Sequence, residues 1–137
     1  MGDERKTIRH FTDLEVWRVA HELEIKIYTI TKGFPKDELF GLTSQLRRAA
    51  ASIGANIAEG MGRGTYADRC RFYLNARGSV YEVENFLILS RDLKYIVSDD
   101  FFALNDIVTS VRRLLNAFIS KTHSMSQSHL RSPISDL

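Results

Sequence analysis

The sequence predicts an all-α fold, an antiparallel up-down-up-down four-helix bundle, and three observations carry that reading. Apolar residues recur at three- and four-residue steps through most of the chain, and almost nothing alternates with a period of two, so strands are not expected. Glycine, proline and serine divide this pattern into four long amphipathic segments joined by short turns. Each segment carries a dominant apolar stripe, and four such rods hide their stripes most simply by packing side by side with alternating direction. The expected domain covers residues 1–122, with helices at about 13–32, 36–61, 65–94 and 98–122, followed by a disordered polar tail over 123–137.

The first helix opens with Thr12 and Glu15 at capping-box spacing and carries Leu14, Trp17, Ala20, Leu23, Ile27 and Ile30 on one face, until Gly33-Phe34-Pro35 ends it. Pro35 suits the first turn of the second helix, where a missing donor costs nothing; Leu39, Leu42, Leu46, Ala49, Ile53 and Ile57 then trace a core stripe. Gly60, Gly62 and Gly64 stop that helix. Thr65 with Asp68 marks the start of the third, whose inward row is Phe72, Ala76, Val80, Val83 and Leu87, fading near Tyr95. Ser98 starts the fourth, with Asp99 and Asp100 where the helix dipole favours negative charge, and Leu104, Ile107, Val108, Val111, Leu115, Phe118 and Ile119 form its stripe. The middle helices have more apolar surface than one stripe requires: Ala51, Ala55 and Ala58 on the second, and Tyr66, Cys70, Tyr73, Tyr81 and Ile88 on the third. Surplus faces of this kind predict a subunit interface.

A chain of 137 residues fits one core, and 44% hydrophobic with 26% charged residues and two prolines is ordinary globular composition. The single cysteine, Cys70, has no internal disulfide partner, which fits a reducing cytoplasm. Met1 through Lys6 is charged and leads into no apolar stretch, so no signal peptide is expected, and no span is apolar enough to cross a membrane. No set of cysteines and histidines has zinc spacing, and none of His10, His21, His123 or His129 follows a glutamate by three residues, as carboxylate-bridged di-iron bundles require. No metal or cofactor is therefore expected. The net charge of +2 is compatible with nucleic acid without arguing for it.

Several constellations bear on function. Gly60-Met61-Gly62-Arg63-Gly64-Thr65 resembles a phosphate loop, yet it matches neither glycine fingerprint and follows no strand, so it reads as an interhelical turn. Helical spacing aligns Arg48, Ser52 and Glu59, with Asn56 beside them, and likewise Arg77, Tyr81 and Glu84, with Glu82 on a neighbouring face. An acid-base reading of Glu59 and Glu82 finds no accompanying histidine or nucleophile, so no catalytic residue is assigned; a structural network of Ser52, Asn56, Glu59, Glu82 and Glu84 is preferred. Cys70 lies between Arg69 and Arg71 with no base nearby in sequence, and reads as a buried or interface thiol. From residue 47 to 77 the chain holds Arg47, Arg48, Arg63, Arg69, Arg71 and Arg77 against only Glu59 and Asp68, interleaved with Tyr66, Phe72 and Tyr73. Arginine forks pair with phosphates and rings stack on exposed bases, so this stretch makes the case for nucleic acid; the competing reading is a solvated face or intersubunit salt bridges.

Phe11-Thr12-Asp13-Leu14-Glu15-Val16-Trp17, Phe34-Pro35-Lys36-Asp37-Glu38 and Gly41 through Ala50, together with Ser52-Ile53, Asn56-Ile57-Ala58-Glu59-Gly60 and Ala76-Arg77-Gly78-Ser79, resemble a known family. It is the bacterial four-helix bundle family associated with intervening sequences in 23S ribosomal RNA genes, also labelled S23 ribosomal proteins. The resemblance covers residues from about 10 to 120 and rests on several motifs in the right order. It implies homopentamers of four-helix protomers. It also implies kinship with the accessory protein of diversity-generating retroelements, which looks like a basic pentamer that binds nucleic acid and its reverse transcriptase. The chain departs from the family pattern at Gly54, where proline is common, and at Tyr73-Leu74-Asn75, where an aliphatic run is usual; a softened kink and an altered interface patch are expected. The leading expectation is a non-enzymatic oligomeric scaffold that meets RNA or DNA through its arginines. The alternative is an adaptor that docks a protein such as a reverse transcriptase without touching nucleic acid itself.

Overall fold

The structure, a computed structural model, describes residues 7–128. Four helices, α1 (Glu15–Thr31), α2 (Leu42–Met61), α3 (Tyr66–Asp92) and α4 (Ser98–Ser128), follow one another, and the described residues contain no strand. Contacts run around a ring, α1 to α2, α2 to α3, α3 to α4 and α4 back to α1, with no approach across either diagonal. The all-α four-helix fold is as the periodicity predicts.

The stripes form the core. Leu23, Ile27, Leu46, Ile53, Ile57, Val80, Val83, Leu87, Val108, Val111 and Leu115 are all fully enclosed. Burial of one such aliphatic side chain stabilises the fold by roughly 1.5–3 kcal/mol, so this set dominates the energetics. Between α2 and α3 the layer also contains a polar joint, where the Ser79 hydroxyl donates to the Ser52 oxygen at 2.9 Å.

Boundaries differ from expectation where local chemistry takes over. The chain before α1 forms a 3₁₀ turn, Phe11–Asp13, capped by a box between His10 and Asp13, and α1 begins at Glu15 without a side-chain cap. The Thr12–Glu15 box is not formed; the Asp13 carboxylate accepts the Arg9 and His10 amides instead, at 2.9 and 3.1 Å. After Pro35 a second 3₁₀ turn, Lys36–Glu38, intervenes, and α2 starts only at Leu42, whose amide donates to the Glu38 carboxylate at 3.0 Å. Leu39 precedes this break and is 50% exposed, so it is not part of the core stripe. Gly60 does not stop α2; it is in the last helical turn and Gly62 is the cap. Thr65 does cap α3, accepting the Asp68 amide at 3.1 Å.

The fourth helix continues through residues 123–128, which corrects the expected start of a disordered tail at 123; residues 129–137 lie outside the described residues. Thr122 turns its hydroxyl inward to the Phe118 carbonyl at 2.8 Å, and Met125 is half-buried, so the helix has contacts to lean on beyond its apolar stripe. At 31 residues α4 reaches about 46 Å, against about 26 Å for the 17-residue α1, and its last turns overhang the start of α1.

Gly54 leaves α2 unbroken, and a methyl group there would lie 3.3 Å from Trp17 Nε1. The glycine lets the indole pack directly on the helix. Tyr73 and Cys70 are buried within the protomer, so they are not part of a surplus outer face; Tyr81, at 55% exposure, and Ile88 remain outside.

Candidate functional site

Up-down-up-down topology brings the start of α1, the α2–α3 turn and the end of α4 to the same end of the bundle. Gly60 gives up its side chain to Tyr73: a Cβ there would lie 2.6 Å from the ring and 3.0 Å from the Phe72 Cβ. Tyr73 fills the space, packs on Phe118 at 4.7 Å between centroids and is 1% exposed. Burial pushes its phenol up to about 12, with the positive charge of Arg69 opposing, so the hydroxyl stays protonated and able to donate.

Above Tyr73 lies a groove of about 900 Å³, open to solvent. Its walls carry Arg9, Arg63, Arg69 and Lys121, with ring surface from Phe11, Tyr66 and Phe118, and among the described residues no aspartate or glutamate lines it. The arginines are placed by specific contacts. Arg63 pairs with Glu59 at 3.2 Å and lies 4.4 Å over the Phe72 ring; Arg69 donates through Nε to the Arg63 carbonyl at 2.9 Å and lies 5.7 Å from the Tyr66 centroid. Arg71 is a neighbour outside the groove, paired with Asp68 at 2.9 Å and placed 4.6 Å from the centroid of the Phe72 ring.

The other arginines singled out from sequence are elsewhere. Arg47 ties α2 to α1, donating to Thr31 Oγ1 at 2.8 Å with its guanidinium 4.9 Å from the Tyr28 ring. Arg77 reaches Asn116 of α4 at 3.3 Å, and Arg48 is exposed with no partner among the described residues. The six arginines therefore do not form one patch. Of the five polar positions, Asn56 Nδ2 donates to the Ser52 carbonyl and hydroxyl at 2.8 and 3.0 Å. Glu84 meets Arg112 across α3 and α4 at 2.8 Å, Glu59 belongs to the Arg63 pair, and Glu82 is exposed without a partner among the described residues.

Sequence reasoning missed Arg9, His10, Phe118, Lys121 and Met125 as neighbours of the arginine stretch. They come from the two ends of the chain, and only the bundle topology brings them to the α2–α3 turn. Burial pushes the Cys70 thiol up, outweighing the opposing charge of Arg77, so it is an unreactive interior group. Among the described residues no three His, Cys, Asp or Glu side chains are grouped to hold a metal, and no helix is long and apolar enough to cross a membrane.

The geometry can be set beside known proteins. A crystal structure of a protein of unknown function from the S23 ribosomal protein family, from Bacteroides thetaiotaomicron, is similar with 26% sequence identity and a TM-score of 0.69, covering 76% of this chain and 97% of that one. No curated protein matches the chain. The family described as 23S rRNA-intervening sequence protein matches over residues 12–117, a span that includes α1, α2, α3, the α2–α3 turn and the first part of α4. The chain belongs to the family of 23S rRNA-intervening sequence proteins.

Proposed function

We propose that this protein is a non-enzymatic, self-assembling scaffold that meets nucleic acid at the basic end of its bundle. The observation that carries the reading is the convergence there of Arg9, Arg63, Arg69 and Lys121 on a groove that, among the described residues, no carboxylate lines. Cations so placed raise the local concentration of a polyanion and release its counterions on contact, which makes binding salt-dependent. Arg71 extends the charged surface next to the groove, and the family's tie to ribosomal RNA genes agrees with a nucleic-acid partner. Arg47 and Arg77 act instead as struts between helices.

Self-assembly is supported by apolar residues left outside the core. On α3, Leu74, Tyr81 and Ile88 are exposed at seven-residue spacing, and Gly78 lies between them with open space where a side chain would be. A glycine inside a helix costs roughly 1 kcal/mol relative to alanine, and close approach of a second helix is a physical reason to keep one. The resemblance implies five copies of a bacterial protein, and the lone Cys70 fits a reducing cytoplasm. The same stripe also favours a second reading, an adaptor that docks a different protein such as a reverse transcriptase.

The test is binding of RNA and DNA across a salt series, with the Arg69→Glu, Arg71→Glu double variant alongside. The expected outcome is affinity that falls with salt and a lower slope in the variant. Flat, undetectable binding at all salt concentrations would remove the nucleic-acid reading and leave the adaptor. Sedimentation at working concentrations gives the subunit number, and a solitary monomer would contradict self-assembly.

A further inference from the structure

The basic groove contains something that a merely charged surface does not need. Tyr73 is 1% exposed and lines the groove with its protonated phenol. Arg63 also lines it, and its Nε is buried without a hydrogen bond, the nearest carboxylate oxygen being 3.7 Å away on Asp68. A buried donor without a hydrogen bond costs free energy unless a partner arrives, and the Arg63 Nε marks where a ligand's acceptor belongs.

We propose that this groove holds one unpaired nucleotide of a single-stranded nucleic acid, the base against the rings of Tyr66 and Phe118 and the phosphate among Arg9, Arg63, Arg69 and Lys121. This rests on the nucleic-acid reading above and narrows it to one site and one form of the polymer. Three observations favour it over a phosphate-only contact. The groove volume of about 900 Å³ is in the range of small-ligand pockets, about 300–1,000 Å³, whereas a duplex backbone needs only an open face. Aromatic surface in its lining offers stacking, which every base accepts but a base inside a duplex cannot use. The smaller groove between α1 and α4, of about 460 Å³, carries Glu15, Glu22 and Asp106 with Arg113 against them, so among the described residues the two grooves differ in charge.

Burial keeps the Tyr73 phenol protonated at any ordinary pH, so it is a donor to a base carbonyl or a phosphate oxygen. Arg69 and Arg63 are held over aromatic rings, which fixes their planes before a ligand arrives and lowers the ordering cost of binding.

The experiment is fluorescence anisotropy on the full assembled chain with a short labelled oligouridine, its duplex with oligoadenine, and unlabelled uridine monophosphate as competitor. Tyr66→Ala, Tyr73→Phe and Lys121→Glu are compared with the off-groove Arg48→Glu, and circular dichroism checks that each is folded. Single strand should bind more tightly than duplex. Tyr66→Ala and Lys121→Glu should each weaken it about ten-fold, and Tyr73→Phe, which keeps the ring, about three- to ten-fold. Arg48→Glu should stay within about two-fold, as a charge away from the groove affects mainly the long-range field. Wild-type binding that survives all three groove substitutions, or equal affinity for the duplex, overturns the groove assignment while leaving the broader reading in place. Uridine monophosphate binding as tightly as the oligomer would assign the groove to a free nucleotide and overturn the strand proposal. Absence of binding to any nucleic acid overturns the broader reading itself.

Discussion

At the end of the bundle where α1 passes into α2 and α3 into α4, polar groups find their partners within the protein. Glu38 takes the Leu42 amide on one oxygen and the Tyr95 hydroxyl on the other, at 3.0 and 2.9 Å, while the Tyr95 ring packs on Phe34 at 5.4 Å. Arg47 similarly meets Thr31 and the Tyr28 carbonyl. At the opposite end the buried Nε of Arg63 has no hydrogen bond, and among the described residues cations line a groove that no carboxylate lines. Both ends must close off the same four rods, so the difference is not demanded by the fold. An end that only closes the bundle saturates its donors and covers its rings. One that leaves a buried donor waiting beside a cationic groove has the anatomy of a binding surface.

The contrast can be broken most forcefully at its glycines. Gly60→Ala puts a methyl 2.6 Å from the Tyr73 ring, and overpacking of this kind costs about 1–3 kcal/mol. Gly33→Ala at the sealed end meets only the Ile30 carbonyl oxygen at 3.6 Å and should change stability by no more than about 0.5 kcal/mol. Urea unfolding at fixed protein concentration measures both; equal costs would show that Gly60 is not what makes room for the tyrosine. Between the ends, Ser79→Ala removes the hydroxyl joint to Ser52 and should cost about 0.5–1.5 kcal/mol in the same assay. A loss as large as that of Gly60→Ala would mean the mid-bundle polar joint matters more than proposed.

Acid sharpens the comparison further. The Leu42 amide, and then the Tyr95 hydroxyl, hold the Glu38 carboxyl below its ordinary value of 4.5. A lowered native value means the contribution is complete above about pH 4.5 and disappears as pH falls through the native value. Glu38→Gln should therefore lower the urea midpoint at neutral pH and flatten the decline of stability below pH 4.5. An unchanged acid slope would show that the seal does not depend on this carboxylate. The smallest expected effect is chemical: Cys70, buried and with its pKa raised, should react with an aromatic disulfide reagent far more slowly in buffer than in urea. Fast reaction in buffer would contradict its interior placement.

The four rods were legible because burial imposes a 3.6-residue period on the chain, and Ala76, Val80, Val83 and Leu87 show it plainly. Helix starts were less legible. The spacing of Leu39 continues the stripe of α2 on paper, but a 3₁₀ turn and Gly41 interrupt the register that spacing assumes. Tyr73 read as outward because its pocket is made by a glycine thirteen positions earlier on another helix, which no local pattern records. The arginines were visible as a count, whereas which of them brace helices and which line the groove depends on Thr31, Asn116 and Asp68 across the interfaces. The groove itself draws on the start of α1 and the end of α4, farthest apart in sequence and adjacent only after folding.

The most direct test of the contrast is charge reversal at each end, read as affinity for a short single-stranded RNA at low and moderate salt. Lys121→Glu at the open end should weaken binding about ten-fold and reduce the salt slope, while Lys36→Glu at the sealed end leaves affinity within about two-fold. Equal losses at both ends, or a loss only at the sealed end, would contradict the assignment of nucleic-acid binding to the open groove.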